Sequence, residues 1–369
     1  MDTDAKAAIR AEADRLAAHF AAAGAHPVEA DILQPAGTLL DLYGEDIRAR
    51  AYTTRDPVRG ELMLRPDFTV PVVQMHMAEG AELARYTYAG PVFRMQDAAS
   101  HRASEYLQVG YELFARDDPA AADAEVFALF AKLLAPLGLR AATGDIGLLK
   151  AAVAGLRTTA RRKAALARHI WRPARFRALL DRFGGRTAPP ASRAALLDAA
   201  ETTPAETLIA EAGPLVGLRT PDEIASRIAA LRADAAAPPI AAGELAILDR
   251  LLGLADTAPR ALTELRGLAG EMPALAPATD RMAARLDALA DRGVDIDALP
   301  FEGSYGRTTL EYYDGFVFGF YAEGRALPPV ASGGRYDALT RVLGQGREIP
   351  AVGGVIRPAQ VLAVQEGLA

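Results

Sequence analysis

Two spacings of apolar residues divide the first part of the chain. Residues 4–23 carry apolar side chains three or four positions apart, the pattern of an amphipathic helix, and Gly24 marks its end. Residues 27–75 combine short apolar runs with scattered prolines, which predicts strands and turns rather than a long helix. Aromatic and β-branched residues concentrate in 86–116, as in paired strands, before 121–136 return to a helical pattern. This part of the chain therefore predicts a mixed α/β structure.

The pattern changes twice more towards the C-terminus. Ala, Leu and Arg dominate 148–299, which predicts a module of several helices. Strand patterns return in 300–369, which contains LEYYDGFVFGFYAEG (a strand and a turn), ASGGRYDALTRVLG (a glycine turn opening a helix) and IPAVGGVI (a strand before a final helix). We therefore predict one α/β domain formed by residues 1–147 and 300–369 and interrupted by a helical insertion, residues 148–299.

Composition narrows the possible functions. The net charge of −6 argues against a protein that coats nucleic acid through its overall field, and without cysteine the chain has no thiolate ligand or nucleophile. The five histidines are far apart in sequence and lack metal-ligand spacing, so we expect no metal site. The N-terminal residues are charged, and no apolar run approaches the roughly 20 residues that span a bilayer. We therefore expect a cytoplasmic protein that does not contact a membrane.

A first candidate site follows from strand periodicity. Side chains two positions apart share one face of a strand, so Gln108, Gly110 and Glu112 are expected to point together. An amide and a carboxylate on either side of a glycine form a polar floor with room for a small ligand, and the carboxylate can pair with an ammonium group. The alternative is the solvated outer face of an antiparallel strand.

A second candidate site lies in the run LRPDFT, residues 64–69. In an extended segment Asp67 and Thr69 share a side, where they offer a carboxylate and a hydroxyl to an amino group. The alternative is a turn closed by a hydrogen bond to the Asp67 side chain. The local sequence alone does not decide between the two interpretations.

Several motifs, in matching order and at similar spacing, resemble those of one enzyme family. The run FRMQDAASHRASEYLQVGYELF (93–114) resembles the second signature motif of class II aminoacyl-tRNA synthetases, and of histidyl-tRNA synthetase in particular. RPDFT (65–69) looks like the Arg-Pro-Glu-x-Thr element of that synthetase, with Asp in place of Glu. LEYY (310–313) and GGRYD (333–337) resemble its two histidine-specific motifs.

The resemblance spans residues 1–147 and 300–369 and implies both a fold and a ligand. The implied fold class is α/β (α+β), with a mainly antiparallel sheet flanked by helices and a helical insertion. The implied ligand is histidine, held by six side chains: Asp67, Thr69, Gln108, Glu112, Tyr313 and Tyr336. Because Tyr312 and Tyr313 would alternate faces in a strand, only one of them is expected to line the pocket. An aromatic-rich strand is alternatively part of the core.

Other positions depart from the synthetase pattern on the side that would hold ATP. Arg94 stands where the second-motif arginine holds the α-phosphate, so it is a possible phosphate or anion contact. The acid expected two residues later is Gln96, and the expected catalytic arginine is Thr308, with Arg307 adjacent. The ATP-clamping arginine of the third motif is replaced by Gln360. Because losing one charge-stabilising donor costs about 10²–10³ in rate, efficient adenylation is not expected.

The end of the chain differs from the synthetase as well. Where the third motif of the family ends Gly-Leu-Glu-Arg, this chain has Arg357-Pro358-Ala359-Gln360. The sequence then stops at Ala369, whereas the synthetase continues into an anticodon-binding domain. We therefore expect that this chain has no anticodon-binding domain.

Together these features resemble the regulatory subunits of short-form ATP phosphoribosyltransferase, which are non-catalytic relatives of the synthetase. The resemblance implies that the chain forms a homodimer within a hetero-oligomer with the catalytic subunit and raises the activity of that subunit. It also implies a part in feedback inhibition by L-histidine, and it implies no cofactor. Two alternatives are a histidyl-tRNA synthetase lacking its last domain and an RNA-binding paralogue.

A basic stretch lies in the predicted insertion. From Arg157 to Arg182 there are nine Lys or Arg residues and one acid. Trp171 and Phe176 offer rings for base stacking, which would suit a nucleic-acid surface. A docking face for an acidic protein and an ordinary solvated helical face are the other interpretations. Nucleic acid is the partner least expected from the composition of the whole chain.

Overall fold

The computed structural model describes residues 3–37, 51–79, 83–96, 103–307, 312–323 and 328–367. The strands within these ranges are β1 (His26–Pro27), β2 (Leu33–Pro35), β3 (Thr53–Asp56), β4 (Gly60–Leu64), β5 (Ala84–Phe93), β6 (Glu105–Phe114), β7 (Arg140–Asp145), β8 (Ala255–Thr257), β9 (Pro300–Glu302), β10 (Phe316–Tyr321), β11 (Ala331–Arg335) and β12 (Ala351–Ile356).

The helices up to residue 202 are α1 (Thr3–Ala22), α2 (Thr69–Glu79), α3 (Pro119–Leu134), α4 (Ile146–Gly155), α5 (Ala160–Arg168), α6 (Pro173–Phe183) and α7 (Ala191–Thr202). They are followed by α8 (Ala205–Glu211), α9 (Pro221–Ala236), α10 (Ala242–Gly253), α11 (Ala258–Glu271), α12 (Ala276–Asp291), α13 (Asp337–Leu343) and α14 (Pro358–Gln365).

One large sheet organises the molecule. Nine strands form it in the order β1-β5-β6-β12-β11-β10-β7-β9-β8, and only β1–β5 and β7–β9 are parallel neighbours. Because β6 pairs with β12 and β7 pairs with β10, strands from both ends of the sequence meet in this sheet. The predicted α/β (α+β) fold with a mainly antiparallel sheet is confirmed. Strands β2, β4 and β3 form a second, small sheet.

The two faces of the large sheet differ in chemistry. On one face, the Phe20 ring of α1 lies 5.4 Å from the Tyr111 ring, and the Phe130 ring of α3 lies 5.6 Å from the Phe318 ring. These aromatic residues form the core between the sheet and its helices. Glu112, which follows Tyr111 on β6, points to the opposite face, as strand alternation requires. That opposite face is the floor of the candidate site.

Helix α1 confirms the first predicted element, since it ends at Ala22 just before Gly24, whose φ is +91°. Helix α2 was missed, because it lies in a range for which strands and turns were predicted. The predicted glycine turn before α13 is instead strand β11. Its glycines allow a close approach of strands, since a Cβ on Gly333 would lie 2.4 Å from the Gly353 carbonyl oxygen.

The predicted insertion is tied to the rest of the molecule through buried charge. Arg285 of α12 donates to Asp123 of α3 at 3.2 Å and to Asp145, the N-cap of α4, at 2.8 Å. Strand β8, which also lies between 148 and 299, joins the edge of the large sheet beside β9. The division of the chain into domains stays a prediction.

Two kinds of feature are absent from the described ranges, a membrane-spanning helix and a metal-binding cluster. There, no helix has the length and apolar composition needed to cross a membrane. The same part of the chain contains no group of three or more His, Cys, Asp or Glu side chains placed to hold a metal ion. His101, one of the five histidines, lies outside the described residues.

Candidate ligand-binding site

The buried carboxylate of Glu112 is the centre of the candidate site. Its side chain is 1% exposed and accepts hydrogen bonds from three hydroxyls, those of Tyr336 at 2.6 Å, Tyr88 at 2.8 Å and Thr69 at 3.1 Å. Tyr312 in turn donates to the Thr69 hydroxyl at 3.2 Å. Three of the predicted contacts, Glu112, Thr69 and Tyr336, therefore meet in one hydrogen-bond network.

No cation balances the Glu112 carboxylate within the ranges that the structure describes. Its hydrogen-bond partners are neutral, and Asp67 adds negative charge nearby. Burial raises the pKa of Glu112 to about 7, although the three hydroxyls act in the opposite direction. A buried carboxylate without a counter-charge is costly, and a ligand that brings a positive charge or N–H donors would offset that cost.

Asp67 and Thr69 reach the site from the beginning of α2. Thr69 is the first residue of the helix, and Asp67 Oδ1 accepts a long hydrogen bond of 3.5 Å from the Val70 amide. That contact is the local hydrogen bond of the turn interpretation, yet both side chains are also buried beside Glu112. The structure thus brings the predicted carboxylate and hydroxyl to the site. Their binding of an amino group stays a prediction.

Tyrosines form one wall of the site. The rings of Tyr312 and Tyr313 lie 4.9 Å apart, and the Tyr312 ring lies 6.0 Å from that of Tyr336. Burial raises the pKa of Tyr313, and the nearby Glu112 and Asp67 carboxylates raise it further. The expectation that only one of the paired tyrosines reaches the site was wrong. Both reach it because β10 begins at Phe316, so strand alternation does not apply to them.

Two glycines on the floor of the site leave space that neighbouring side chains occupy. A Cβ on Gly110 would lie 2.1 Å from Cζ of Tyr88, whose ring stacks on Phe68 with centroids 4.3 Å apart. The space above Gly110 is therefore filled by Tyr88 and is not the predicted room for a ligand. Gly353 is opposite Glu112 in register, and a Cβ there would lie 1.6 Å from Oε2. The Glu112 carboxylate can lie across β12 only because Gly353 has no side chain.

Gln108 shares the face of Glu112 but has no hydrogen-bond partner within the described ranges. Its side chain is 1% exposed, and among the described residues neither its amide oxygen nor its amide nitrogen has a hydrogen-bond partner. A buried amide left unsatisfied at both atoms is uncommon in native proteins, and it indicates a place where a ligand or water completes the site.

The predicted ATP side contains local contacts in place of the acid and arginine of the synthetase. Arg94 Nε donates to the Pro66 carbonyl at 2.8 Å, and Gln96 Nε2 donates to the Arg94 carbonyl at 3.3 Å. The amide oxygen of Gln360 is buried without a hydrogen-bond partner in the described part of the chain. Thr308, the residue at the catalytic arginine position, lies outside the described residues.

Arg307 cannot replace the missing arginine, because it points away from the site. Its Nε donates to the Ile170 carbonyl at 2.8 Å, and its guanidinium lies 4.9 Å from the centroid of the Phe176 ring. Burial lowers its pKa to about 10. Arg307 therefore attaches the segment before the tyrosines to helix α6 and the end of α5.

Three residues at the site were missed by sequence reasoning. Tyr88 lies opposite Gly110 in the β5–β6 register, which no local pattern specifies. Tyr312 was considered only as the partner of Tyr313 that faces away. Arg357 follows β12 on the face of the site, and its only signal in the sequence is its place at the end of an alternating strand.

The basic stretch is less available to partners than its composition indicates. Arg162 is buried and donates to Asp234 at 2.7 Å, while Arg177 pairs with Asp249. Phe176 is fully buried, so it cannot stack on a base. The nucleic-acid interpretation thereby loses one of the two rings on which it relied. Protein docking and a solvated face both remain compatible with the exposed arginines.

Comparison with known proteins first defines the class. A sequence model of the histidyl-tRNA synthetase family matches residues 2–237 and 223–361. A crystal structure of an ATP phosphoribosyltransferase regulatory subunit/histidyl-tRNA synthetase from Bacillus halodurans superposes with a TM-score of 0.68 at 20% identity, covering 99% of this chain and 81% of that one. Histidyl-tRNA synthetase from Nostoc superposes with a TM-score of 0.62 at 14% identity over 98% and 72% of the two chains. The fold is therefore that of class II histidyl-tRNA synthetases.

Two curated relatives narrow the class further. The ATP phosphoribosyltransferase regulatory subunit of Mesorhizobium japonicum is 32% identical over 366 residues, 94% of this chain and 95% of the relative. That of Brucella ovis is 35% identical over 346 residues, 88% of this chain and 89% of the relative. This chain belongs to the ATP phosphoribosyltransferase regulatory subunits, a branch of the histidyl-tRNA synthetase family.

Proposed function

We propose that this chain is a non-catalytic subunit that binds L-histidine at Glu112 and regulates the short-form catalytic subunit of ATP phosphoribosyltransferase. That enzyme opens histidine biosynthesis, so the ligand is the end product of the pathway. The regulatory chain raises the activity of the catalytic subunit and takes part in its inhibition by histidine. The two kinds of chain assemble as a hetero-oligomer around a regulatory homodimer.

The Glu112 network carries this proposal. It offers a buried acceptor with a pKa of about 7 that accepts from three hydroxyls and has no cationic hydrogen-bond partner in the described ranges. Histidine brings an ammonium group and imidazole N–H groups, which supply the donors that the carboxylate lacks. Flat phenol rings with a polar tip, such as those of Tyr313 and Tyr336, suit an imidazole. An acid whose pKa is raised in this way responds strongly to a charged ligand.

The ATP side supports a regulatory role over catalysis. Adenylation requires cations placed on the phosphates, and Gln96 and Gln360 stand at two positions where the synthetase has charged groups. Arg307, the nearest arginine in sequence to the third such position, is bound to the Ile170 carbonyl instead. The relatives at 32% and 35% identity are also named as regulatory subunits.

Regulation by histidine follows from linkage between ligand binding and assembly. A ligand shifts an equilibrium between assembly states only by the difference in its affinity for them. Histidine bound at Glu112 therefore inhibits if it binds more tightly to the less active assembly. The tyrosine wall offers a route for this coupling, because its segment is attached through Arg307 to the insertion helices.

Calorimetric titration of L-histidine tests the site directly. We expect saturable binding to the wild-type chain and none to Glu112→Ala or Glu112→Gln; the Gln variant keeps the shape and one acceptor. Glu125→Ala is the matched control, since Glu125 is a carboxylate beyond the opposite face of the sheet, paired with Arg85 at 2.7 Å. Unchanged histidine affinity in both Glu112 variants would contradict the proposed site.

A second measurement separates regulation from aminoacylation. Mixed with a short-form catalytic subunit, the chain should raise ATP phosphoribosyltransferase activity, and L-histidine should lower it again. Alone, the chain should not catalyse histidine-dependent exchange of pyrophosphate into ATP. Robust exchange, with no effect on the phosphoribosyltransferase, would identify a synthetase instead.

A further inference from the structure

We propose that Arg357 recognises the carboxylate of the bound amino acid and so makes the site selective for an amino acid over the corresponding amine. This inference rests on the proposed function, because it concerns the second end of the same ligand. Arg357 places a positive charge at one end of the site and Glu112 places a carboxylate at the other. The site as a whole therefore complements a zwitterion.

Strand alternation places Arg357 on the face of the site. Gly353 is opposite Glu112 and Val355 is opposite Gly110 in the β6–β12 register. The backbone at Arg357 is still extended, with φ −106° and ψ 101°, so the alternation continues by one more step. Arg357 therefore comes level with Gln108, two steps along the strand from Glu112.

The Arg357 guanidinium is held in place by neutral groups. Nη1 donates to the Pro329 carbonyl at 2.9 Å and Nη2 donates to the Ser332 hydroxyl at 3.2 Å. A guanidinium has five N–H donors, so most of its donor capacity remains for another acceptor. No acidic side chain among the described residues forms an ion pair with Arg357. Burial lowers its pKa, and the nearby Arg94 lowers it further, whereas the surrounding phenols act in the opposite direction.

Gln108 independently indicates a ligand at this end of the site. Its amide is buried at 1% exposure with neither atom hydrogen-bonded in the described part of the chain. Residues four apart on a strand have Cα atoms about 13 Å apart, and the side chains of Gln108 and Glu112 span part of that distance. We place the donor-bearing ring of the amino acid at the Glu112 end. The carboxylate of that ligand then accepts charge-assisted hydrogen bonds from the Arg357 guanidinium.

Comparing L-histidine with histamine tests the assignment, because histamine keeps the ring and the amine but lacks the carboxylate. We expect the wild-type chain to prefer L-histidine. In Arg357→Gln the affinity for L-histidine should fall about 10- to 100-fold, the effect of losing one charged contact. Histamine affinity should change less than about twofold, which shows that the site is intact. Arg357→Lys keeps the charge without the planar fork and should fall between.

Arg347→Gln is the matched control, since Arg347 also donates to a backbone carbonyl, that of Met77 at 2.7 Å, but outside the Glu112 network. Its ligand preference should equal that of the wild type. If Arg357→Gln keeps the preference for L-histidine, or loses both ligands together, the assignment of Arg357 is overturned while the Glu112 site stands. If the wild-type chain binds neither ligand, the proposed function fails as well.

Discussion

Two buried acidic clusters lie on opposite faces of the same sheet, and consecutive residues connect them. Arg335, the last residue of β11, turns towards helix α3 and donates to Asp123 at 3.0 Å, where Arg285 also donates. The next residue, Tyr336, turns to the other face and donates to Glu112 at 2.6 Å. Among the residues that the structure describes, Asp123 thus accepts from two guanidinium groups, whereas Glu112 accepts only from hydroxyls.

The difference separates a structural charge cluster from a site built for a ligand. In the Asp123 cluster every charge is met within the chain, since Arg335 also pairs with Asp337 at 2.9 Å and Arg285 with Asp145 at 2.8 Å. Such a network holds elements together and has no charge left for a ligand. At Glu112 the neutral partners leave the pKa at about 7, so the cluster is incomplete until a cation or N–H donor arrives.

Removing the acid from the complete cluster should give the largest loss of stability. Asp123→Ala leaves Arg335 and Arg285 buried with fewer counter-charges, and breaking a buried ion pair on one side typically costs about 3–5 kcal/mol. We expect a decrease of that size in the free energy of unfolding, measured by urea denaturation at neutral pH. The site itself keeps all its side chains in this variant.

The control for this prediction is a surface ion pair. Glu264 pairs with Arg250 at 2.6 Å on the exposed side of α10 and α11, and its replacement by Ala should leave the denaturation midpoint close to that of the wild type. An Asp123→Ala variant as stable as Glu264→Ala would show that the buried cluster contributes no net stability.

The incomplete cluster around Glu112 should instead make the stability of the fold depend on pH. The folded chain raises the pKa of Glu112 from the usual 4.5 to about 7, so between these values the folded state binds more protons than the unfolded state. Stability contributed by Glu112 is therefore fully present below pH 4.5 and is lost as the pH rises to 7. Relative to Glu112→Gln, the free energy of unfolding should fall by about 3 kcal/mol across this window.

The comparison with Glu112→Gln isolates this effect from two other buried groups. Burial raises the pKa of Asp337 to about 6 and lowers that of His76 to about 4, so both titrate in overlapping ranges with opposite signs. Both groups are present in the variant, and their contributions cancel in the difference. Urea denaturation at half-unit steps from pH 4 to 8 provides the measurement. Parallel curves for the two chains would mean that folding does not raise the pKa of Glu112.

The sequence predicts these two clusters unequally well. Period-two alternation correctly places Gln108 and Glu112 together, because a strand of this length has only two faces. The Asp123 cluster has no local signal, since its residues come from five elements that meet only in the folded chain. Likewise, Tyr88 fills the space over Gly110 because of the register between β5 and β6. Alternation within one strand does not predict that register.

The resemblance to histidyl-tRNA synthetase predicted more residues of the site than strand periodicity did, but only residues that lie in the motifs of that family. It connected Thr69, Glu112 and Tyr336, which are far apart in sequence and hydrogen-bonded in the structure. It gave no warning that Arg307 is committed to the Ile170 carbonyl. It also gave no role to Arg357, because the family motif carries glycine there. Residues that depart from a motif must therefore be judged by their contacts in the fold.

The smallest expected effect has the opposite sign from the others. Gln108 is buried with both amide atoms unpaired in the described ranges, so the free chain carries a desolvation cost that a ligand or bound water would offset. Gln108→Met keeps the side-chain length without the polar atoms and should raise the free energy of unfolding by about 1 kcal/mol while weakening histidine binding.

Thermal denaturation with and without L-histidine measures both effects in one experiment. The variant should melt higher than the wild type without ligand and gain less from saturating ligand. A variant that is less stable without ligand would show that the Gln108 amide is already satisfied, and the site would then be complete at that end.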